Sequence, residues 1–544
     1  MKKQFTPLAL AACLACGFAS PGAFAQNAPA APVAPAAPTI DVTRYVLDGK
    51  LPLSDAQVQA TLAPYIGPRK SLSDIEGAAQ ALETELRNKG YAFHRLYVPA
   101  QRPANGEIRL QVVEFTLGAV EVTGNESFSS DNIRRSLPTL KEGVSPEVKT
   151  LGADVSASNT NPAKQITVTF RESRQPNAVD AVVRVKDAPP SSFIASFTAN
   201  QHVSGDAPQA NVARVTGAYQ HSNLFDRDHV MTLSYTTDPR HPSSVSLYGL
   251  YYQIPLYGTG MNAAVYYTES DINSGRVQQG AGFFDVSGSG RFSGVRLSKA
   301  LPRSASLQPT VSVAFDERVF KNTTTFNGAI VQPDVGSRVL SAQFALRDEA
   351  TWGLWNAFIE HAANVGGGSS NDDASHAANG GERHWRLWRY GGEVTVPVAK
   401  WQVTSRLKGQ ETGSALVSGE QFGLGGATSV RGFADRVVAG ETGYQWSVEG
   451  LGPALYVAEL RPVLFLEGGS VKAKATGARE TIAAAGAGLR WTRPGYQIAA
   501  DLAQAVNEVS TVSGSKGLRL TVGVQAKFEW PPARTRRGLG WGLG

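Results

Sequence analysis

The chain has 544 residues, 18% of them charged, and a formal net charge of +6. That length holds roughly two to four domains, and a mild basic excess spread along the chain, with no lysine- or arginine-rich block, is no nucleic-acid signature. The two cysteines, Cys13 and Cys16, both lie in a stretch that reads as a removable leader, so an exported mature chain would hold neither a disulfide nor a thiolate metal site.

Residues 1–25 read as a secretory signal peptide: a basic "MKK", an apolar core from Leu8 to Ala19, and small residues at Ala23 and Ala25 around the expected cleavage point. A rival cleavage box of lipoprotein type, "LAAC", lies at Leu10–Cys13. Residues 26–38, "QNAPAAPVAPAAP", form a Pro/Ala linker. Two α+β units follow, at 39–115 and 116–188. In the first, "TRYVLDG" is a strand, "SDAQVQATLAPYIG" and "SLSDIEGAAQALETELRNKGY" are helices, and "AFHRLYVPAQ" and "GEIRLQVVEF" are strands. Ser71 or Ser73 can cap the second helix, and Gly90 ends it. The second unit repeats the β-α-α-β-β order with "LGAVEVTGN", "SSDNIRRSL", "SPEVKTLGADVSASN", "KQITVTFRE" and "AVDAVVRVKDA".

From Ser191 onward the helical period disappears. "VMTLSYT" sets Met231, Leu233 and Tyr235 against Thr232, Ser234 and Thr236, and "LQPTVSVAFDER" and "LRLTVGVQAKF" alternate in the same way. Period two over about ten residues fits a transmembrane β-strand, apolar toward lipid and polar toward a wet lumen. No stretch past the leader is apolar enough for a membrane helix, so only a closed barrel could span a bilayer. Short and long connections alternate strictly if 283–300 is one strand, and the count is then sixteen strands across 191–530, with a tail at 531–544. The fold class expected is an all-β transmembrane barrel of sixteen antiparallel strands preceded by two α+β units. A soluble β-sandwich is the bland alternative.

"FGLGGATSVRGF" (Phe422–Phe433) falls in the long loop after the eleventh strand. Gly423, Gly425, Gly426 and Gly432 crowd Arg431, and such freedom suits a loop that folds back into the lumen. An arginine buried there needs an anionic or carbonyl partner.

Here the chain resembles the outer-membrane transporters of two-partner secretion, the haemolysin secretion/activation proteins. The resemblance rests on Val430, Arg431, Gly432 and Phe433 ("VRGF") inside the barrel, on two units like POTRA (polypeptide-transport-associated) domains, and on "RLYVPAQ…GEIRLQVVE". It implies POTRA domains in the periplasm, a barrel in the outer membrane, and a secreted partner, captured unfolded by its N-terminal secretion domain and passed through the pore. It also implies outer-membrane lipid around the barrel and the barrel-assembly machinery for insertion. Within this resemblance the loop arginine pairs with an acidic residue of a strand motif, here "FLEGG" (Phe465–Gly469), which assigns Glu467 as the partner of Arg431. The side-chain parity of Leu460, Leu464 and Leu466 also turns Glu467 inward. Ile166, Val168 and Phe170 are expected on an edge strand that docks the partner. No catalytic motif, cofactor or metal site is expected: the eight histidines are scattered, and G-x-S-x-G, H-E-x-x-H and the P-loop pattern do not occur. The alternative function is an assembly or insertion factor for other outer-membrane barrels; a passive porin or barrel enzyme would need no POTRA pair.

Overall fold

A computed structural model describes residues 38–530, apart from 205–210, 243–244, 272–274, 280–281, 287–288, 305, 323, 327–328, 456–458 and 511–515. The expected leader, most of the linker and the tail lie outside the described residues.

In the first soluble unit, the strand Arg44–Asp48 pairs in parallel with Glu107–Glu114, which also pairs with His94–Tyr97. The helix Leu72–Lys89 covers one face, because Ala78, Leu82 and Leu86 recur at helical spacing and are each fully buried. Of the two candidate caps, Ser71 is the one used: its Oγ accepts from the Asp74 N–H at 3.2 Å, and the Asp74 carboxylate accepts from the Ser71 N–H at 2.8 Å. A further pair, Thr39–Val42 with Gly67–Ser71, has no clear alternation in the sequence to announce it.

The second soluble unit has the same plan. Its three strands lie in the order Thr116–Thr123, Ala178–Asp187, Lys164–Glu172. The last strand in sequence is central, and Lys164–Glu172 is an edge. Ile166 of that strand packs with Leu117, Ile133, Leu137 and Val183 beneath the helices Ser130–Arg135 and Val148–Ser158. The edge is partly closed. The Asn159 side chain accepts from the Ile166 N–H at 2.6 Å and donates to its C=O at 3.1 Å.

The sixteen long strands of the barrel run β1 (Ser191–Ser204), β2 (Val212–Leu224), β3 (His229–Thr237), β4 (Ser246–Leu256), β5 (Met261–Ser270), β6 (Gly290–Ala300), β7 (Gln308–Phe320) and β8 (Val335–Ala350). They continue with β9 (Gly353–Asn364), β10 (Arg386–Val398), β11 (Trp401–Glu411), β12 (Thr442–Leu451), β13 (Arg461–Lys472), β14 (Arg479–Arg493), β15 (Tyr496–Ala505) and β16 (Leu518–Trp530). Each pairs antiparallel with its neighbours. β16 closes on β1 from Trp530 opposite Ser191 to Leu518 opposite Ser204. Closure leaves no edge in lipid. Along β3, Leu233 and Tyr235 are exposed while Thr232, Ser234 and Thr236 are buried inward, as the alternation requires.

One connection differs from expectation. Residues 283–300 are not one strand: Gly282–Val286 pairs with Gly275–Gln279 as a hairpin of its own, and β6 begins only at Gly290. The strand count survives because the hairpin belongs to the long-loop end. At Gly290 a Cβ would sit 2.0 Å from the Val319 carbonyl oxygen, so only glycine fits where β6 starts against β7.

The second soluble unit is tied to the barrel by a buried polar junction. Lys164 Nζ donates to Asp228 Oδ2 at 2.6 Å and to Asn132 Oδ1 at 3.0 Å, with the lysine and aspartate side chains 0% and 1% exposed. Tyr257 donates to the same Asp228 oxygen at 2.5 Å, and Asn132 donates to Asn223 Oδ1 at 3.1 Å. Asp228 lies in the turn between β2 and β3, where Phe225, Asp226 and Asp228 all take positive φ. Burial holds the Lys164 amine below its ordinary pKa, and the Asp228 charge opposes that shift. Asp228→Ala therefore strands a buried ammonium and should destabilise the junction by about 3–5 kcal/mol. Lys164→Met with Asp228→Leu should recover most of it. Thermal unfolding of the detergent-solubilised chain checks both.

Candidate functional site in the barrel lumen

The loop between β11 and β12 folds inward. It leaves β11, makes a short turn at Ser418–Glu420, and forms a ribbon in which Phe422–Leu424 pairs with Val438–Gly440. The tip between those strands, 425–437, carries the arginine. Gly425 has φ +108°, and a Cβ there would meet the Ala434 carbonyl oxygen at 2.3 Å; Gly432 has φ +100° and lies against Ala484 and Ala505 of the wall. Gly426 also has positive φ, and Gly423 sits on the ribbon against the Arg436 side chain. Val430 and Phe433, both fully buried, pack with Leu424, Val471, Ile482, Ala484 and Ala505. Apolar contacts thus seat the tip on β13–β15 on either side of the charge.

Arg431 is 6% exposed. Its backbone N–H donates to Glu467 Oε2 at 2.8 Å, and its Nε and Nη2 donate to Glu467 Oε1 at 2.8 and 2.5 Å. Nη1 donates to Asp501 Oδ2 at 2.9 Å and Nη2 to Glu449 Oε2 at 2.8 Å. The guanidinium carbon lies 3.5 Å from the centre of the Phe465 ring. Arg490 completes the group, donating to both Asp501 oxygens at 2.6 and 3.0 Å. Glu467 meets Arg431, as its inward parity on β13 requires: Leu464 and Leu466 are 55% and 54% exposed, and Glu467 is 5% exposed.

The Arg431–Glu467 pair is part of a larger ionic group. Two arginines (Arg431, Arg490) meet three carboxylates (Glu449, Glu467, Asp501), so the group carries +2 − 3 = −1. Glu449 and Asp501 sit on inward positions of β12 and β15. Alternation marks them as lumen-facing, but nothing in their local sequence says which loop residue they meet.

A second ionic contact holds the start of the same loop to the opposite wall. Glu420, 2% exposed, accepts at Oε2 from Arg318 of β7 at 2.8 Å and from Arg389 of β10 at 3.4 Å. Leu416 packs with Val339, Ala362, Trp385 and Leu387, and Val417 with Phe320 and Val335. Asp435 of the tip meets Arg214 of β2 at 3.4 Å. The loop is therefore a strap across the lumen. A cavity of about 640 Å³ remains beside it, lined by Tyr266, Asp316, Arg318, Arg389, Glu420 and Arg436 among others. Among the described residues no cluster of His, Cys, Asp and Glu has metal-binding geometry.

Residues 182–491 match the haemolysin secretion/activation protein family ShlB/FhaC/HecB, more than half of the chain. The chain belongs to that family. Residues 40–114 match the ShlB-type POTRA domain. The outer membrane transporter CdiB of Dickeya dadantii (strain 3937) is 19% identical over 397 residues, 72% of this chain and 68% of that protein. The structure of CdiB from Escherichia coli superposes with a TM-score of 0.75 at 16% identity, covering 92% of this chain and 93% of that one. CdiB from Acinetobacter baumannii gives 0.69 at 17% identity, covering 90% of each chain. As a ShlB/FhaC/HecB protein the chain is an outer-membrane, two-partner secretion transporter, with periplasmic POTRA domains and a barrel through which a partner exoprotein is translocated.

The charge count makes the cluster's response to mutation asymmetric. Arg431→Ala takes it from −1 to −2 and strands Glu467, whereas Glu467→Ala takes it to 0. Arg431→Ala should free the tip at a cost of up to about 3–5 kcal/mol, and Glu467→Ala should cost clearly less. The double variant returns to −1 and should be milder than Arg431→Ala alone. Arg431→Lys should restore only part, because an ammonium cannot make the forked contact. Limited proteolysis of the loop, with heat-modifiable mobility as the check on barrel folding, reads all four.

Proposed function

We propose that an unfolded exported partner, engaged through its N-terminal secretion domain, docks on the free part of the Lys164–Glu172 edge and is then fed into the lumen beneath the strap without any catalytic step. The observation that carries this reading is the strap: one loop tied to both walls of a closed barrel, beside a polar cavity. An assembly factor for other barrels would usually carry more than two POTRA units, and the described residues ahead of the barrel form two such three-stranded units. The outward apolar band, which includes Leu464, Leu466 and Phe528, supports outer-membrane lipid as the surroundings. Insertion by the barrel-assembly machinery belongs to the same reading. So do the divisions 39–115 and 116–188 for the POTRA pair and 191–530 for the barrel.

The docking edge is shorter than Ile166–Phe170. Even-numbered residues of this strand turn their N–H and C=O away from Ala178–Asp187, and those of Ile166 are taken by Asn159. Val168 and Phe170 keep theirs available to an extended chain. Thr167, in between, bonds across to Arg184. Val168→Pro should thus weaken partner capture by removing an outward donor, while Thr167→Pro should unfold the domain by removing a ladder bond. Pull-down of the unfolded secretion domain, beside circular dichroism of each variant, tests this. Unchanged capture by a folded Val168→Pro chain would sink the edge as the docking site.

A further inference from the structure

The two ends of the strap are held unequally. At the tip, Arg431 supplies every hydrogen bond that reaches the Glu467 carboxylate from the loop, so withdrawing the tip would leave that group buried without its cation. At the other end, Arg318 and Arg389 have alternatives already in place. Arg318 donates to Asp316 at 2.7 Å; Arg389 donates to Gln410 at 3.0 Å and to Glu360 at 3.4 Å. Withdrawing Glu420 leaves both arginines partnered. Glu420 itself uses one oxygen for both cations, and its Oε1 meets no hydrogen-bond partner among the described residues. The Gly419 position is tight as well: a Cβ there would lie 2.1 Å from the Phe320 ring. Arg318, Arg389 and Glu420 all line the lumen cavity, so whatever enters the cavity reaches this ion pair and not the Arg431 cluster.

We propose that Arg318 and Arg389 form a carboxylate-binding site for the passing polypeptide, which Glu420 occupies in the resting chain as a built-in competitor. An aspartate or glutamate side chain of the entering partner exchanges with Glu420. The 413–421 arm then swings off the β7–β10 wall while the tip stays seated on β13–β15. The guanidinium geometry suits this exchange, since each arginine gives one Nη donor to the same Glu420 oxygen, leaves the second carboxylate oxygen unused, and keeps its charge at any physiological pH. The inference rests on passage through the lumen.

The test reads the arm and the tip separately. Val417 and Val430 are each fully buried, and the cysteines of the chain lie at 13 and 16. Val417→Cys therefore reports the arm and Val430→Cys the tip, through their rates of reaction with a membrane-impermeant maleimide in the full-length barrel. The probe is an unstructured Glu/Gly/Ser peptide, compared with the same peptide carrying Gln for Glu. The acidic peptide should speed labelling of the Val417→Cys chain by about threefold to tenfold, the range that loss of one partly buried ion pair allows. It should leave labelling of the Val430→Cys chain unchanged, and the Gln peptide should speed neither. Glu420→Gln in the otherwise native chain should raise ion conductance in planar bilayers by a similar factor without peptide. Equal action of the two peptides, faster labelling of the Val430→Cys chain, or wild-type conductance of Glu420→Gln would each overturn the proposal. Secretion of the partner by the native chain is measured alongside, so a failure of the lumen route shows itself separately from a failure of the carboxylate exchange.

Discussion

A guanidinium removed from water must be met by negative charge, and the barrel interior is arranged around that requirement. Arg431 arrives on a loop with little regular hydrogen bonding of its own, yet it is 6% exposed. Three wall carboxylates from β12, β13 and β15 converge on it, and Arg490 keeps the excess negative charge from accumulating. The apolar seat made by Val430 and Phe433 excludes water from the contact, which strengthens each charge-assisted bond. Without that cluster the tip would keep only its apolar seat and the Asp435–Arg214 contact.

The same logic governs edges. In lipid, an unpaired strand edge is not tolerated, and the barrel solves this by pairing β16 with β1. In the second soluble unit, where water is available, the edge is only partly blunted. Asn159 mimics a neighbouring strand for one residue, offering an amide that both donates and accepts. What remains open is short, and a short open edge can hold an extended segment without committing the domain to aggregation.

Between these two regions lies the Lys164–Asp228 junction, buried and coupled to Asn132, Asn223 and Tyr257. Because Lys164 begins the very strand whose later residues form the open edge, the junction sets where that edge stands relative to the β2–β3 turn. Stability of the junction and the position of the open edge are thus linked through one strand.

Local pattern was enough to establish the class of the molecule. Alternation of period two reports burial on one face and exposure on the other, a property of each strand taken singly, so the inward position of Glu467 and the number of barrel strands were legible, although the pattern starts the strand at Gly290 too early. The paired helices of the soluble units were legible for the same reason, through period 3.6. The glycines around Arg431 marked a loop in unusual backbone regions. Which inward charges meet was settled only in the folded chain. Glu449 and Asp501 lie on strands whose local patterns resemble those of other lumen-facing positions, and Glu420 and Lys164 look like ordinary surface charges in sequence. Their partners are brought from 18 to 102 residues away by closure of the barrel and the path of one strap, and no local periodicity carries information over that distance.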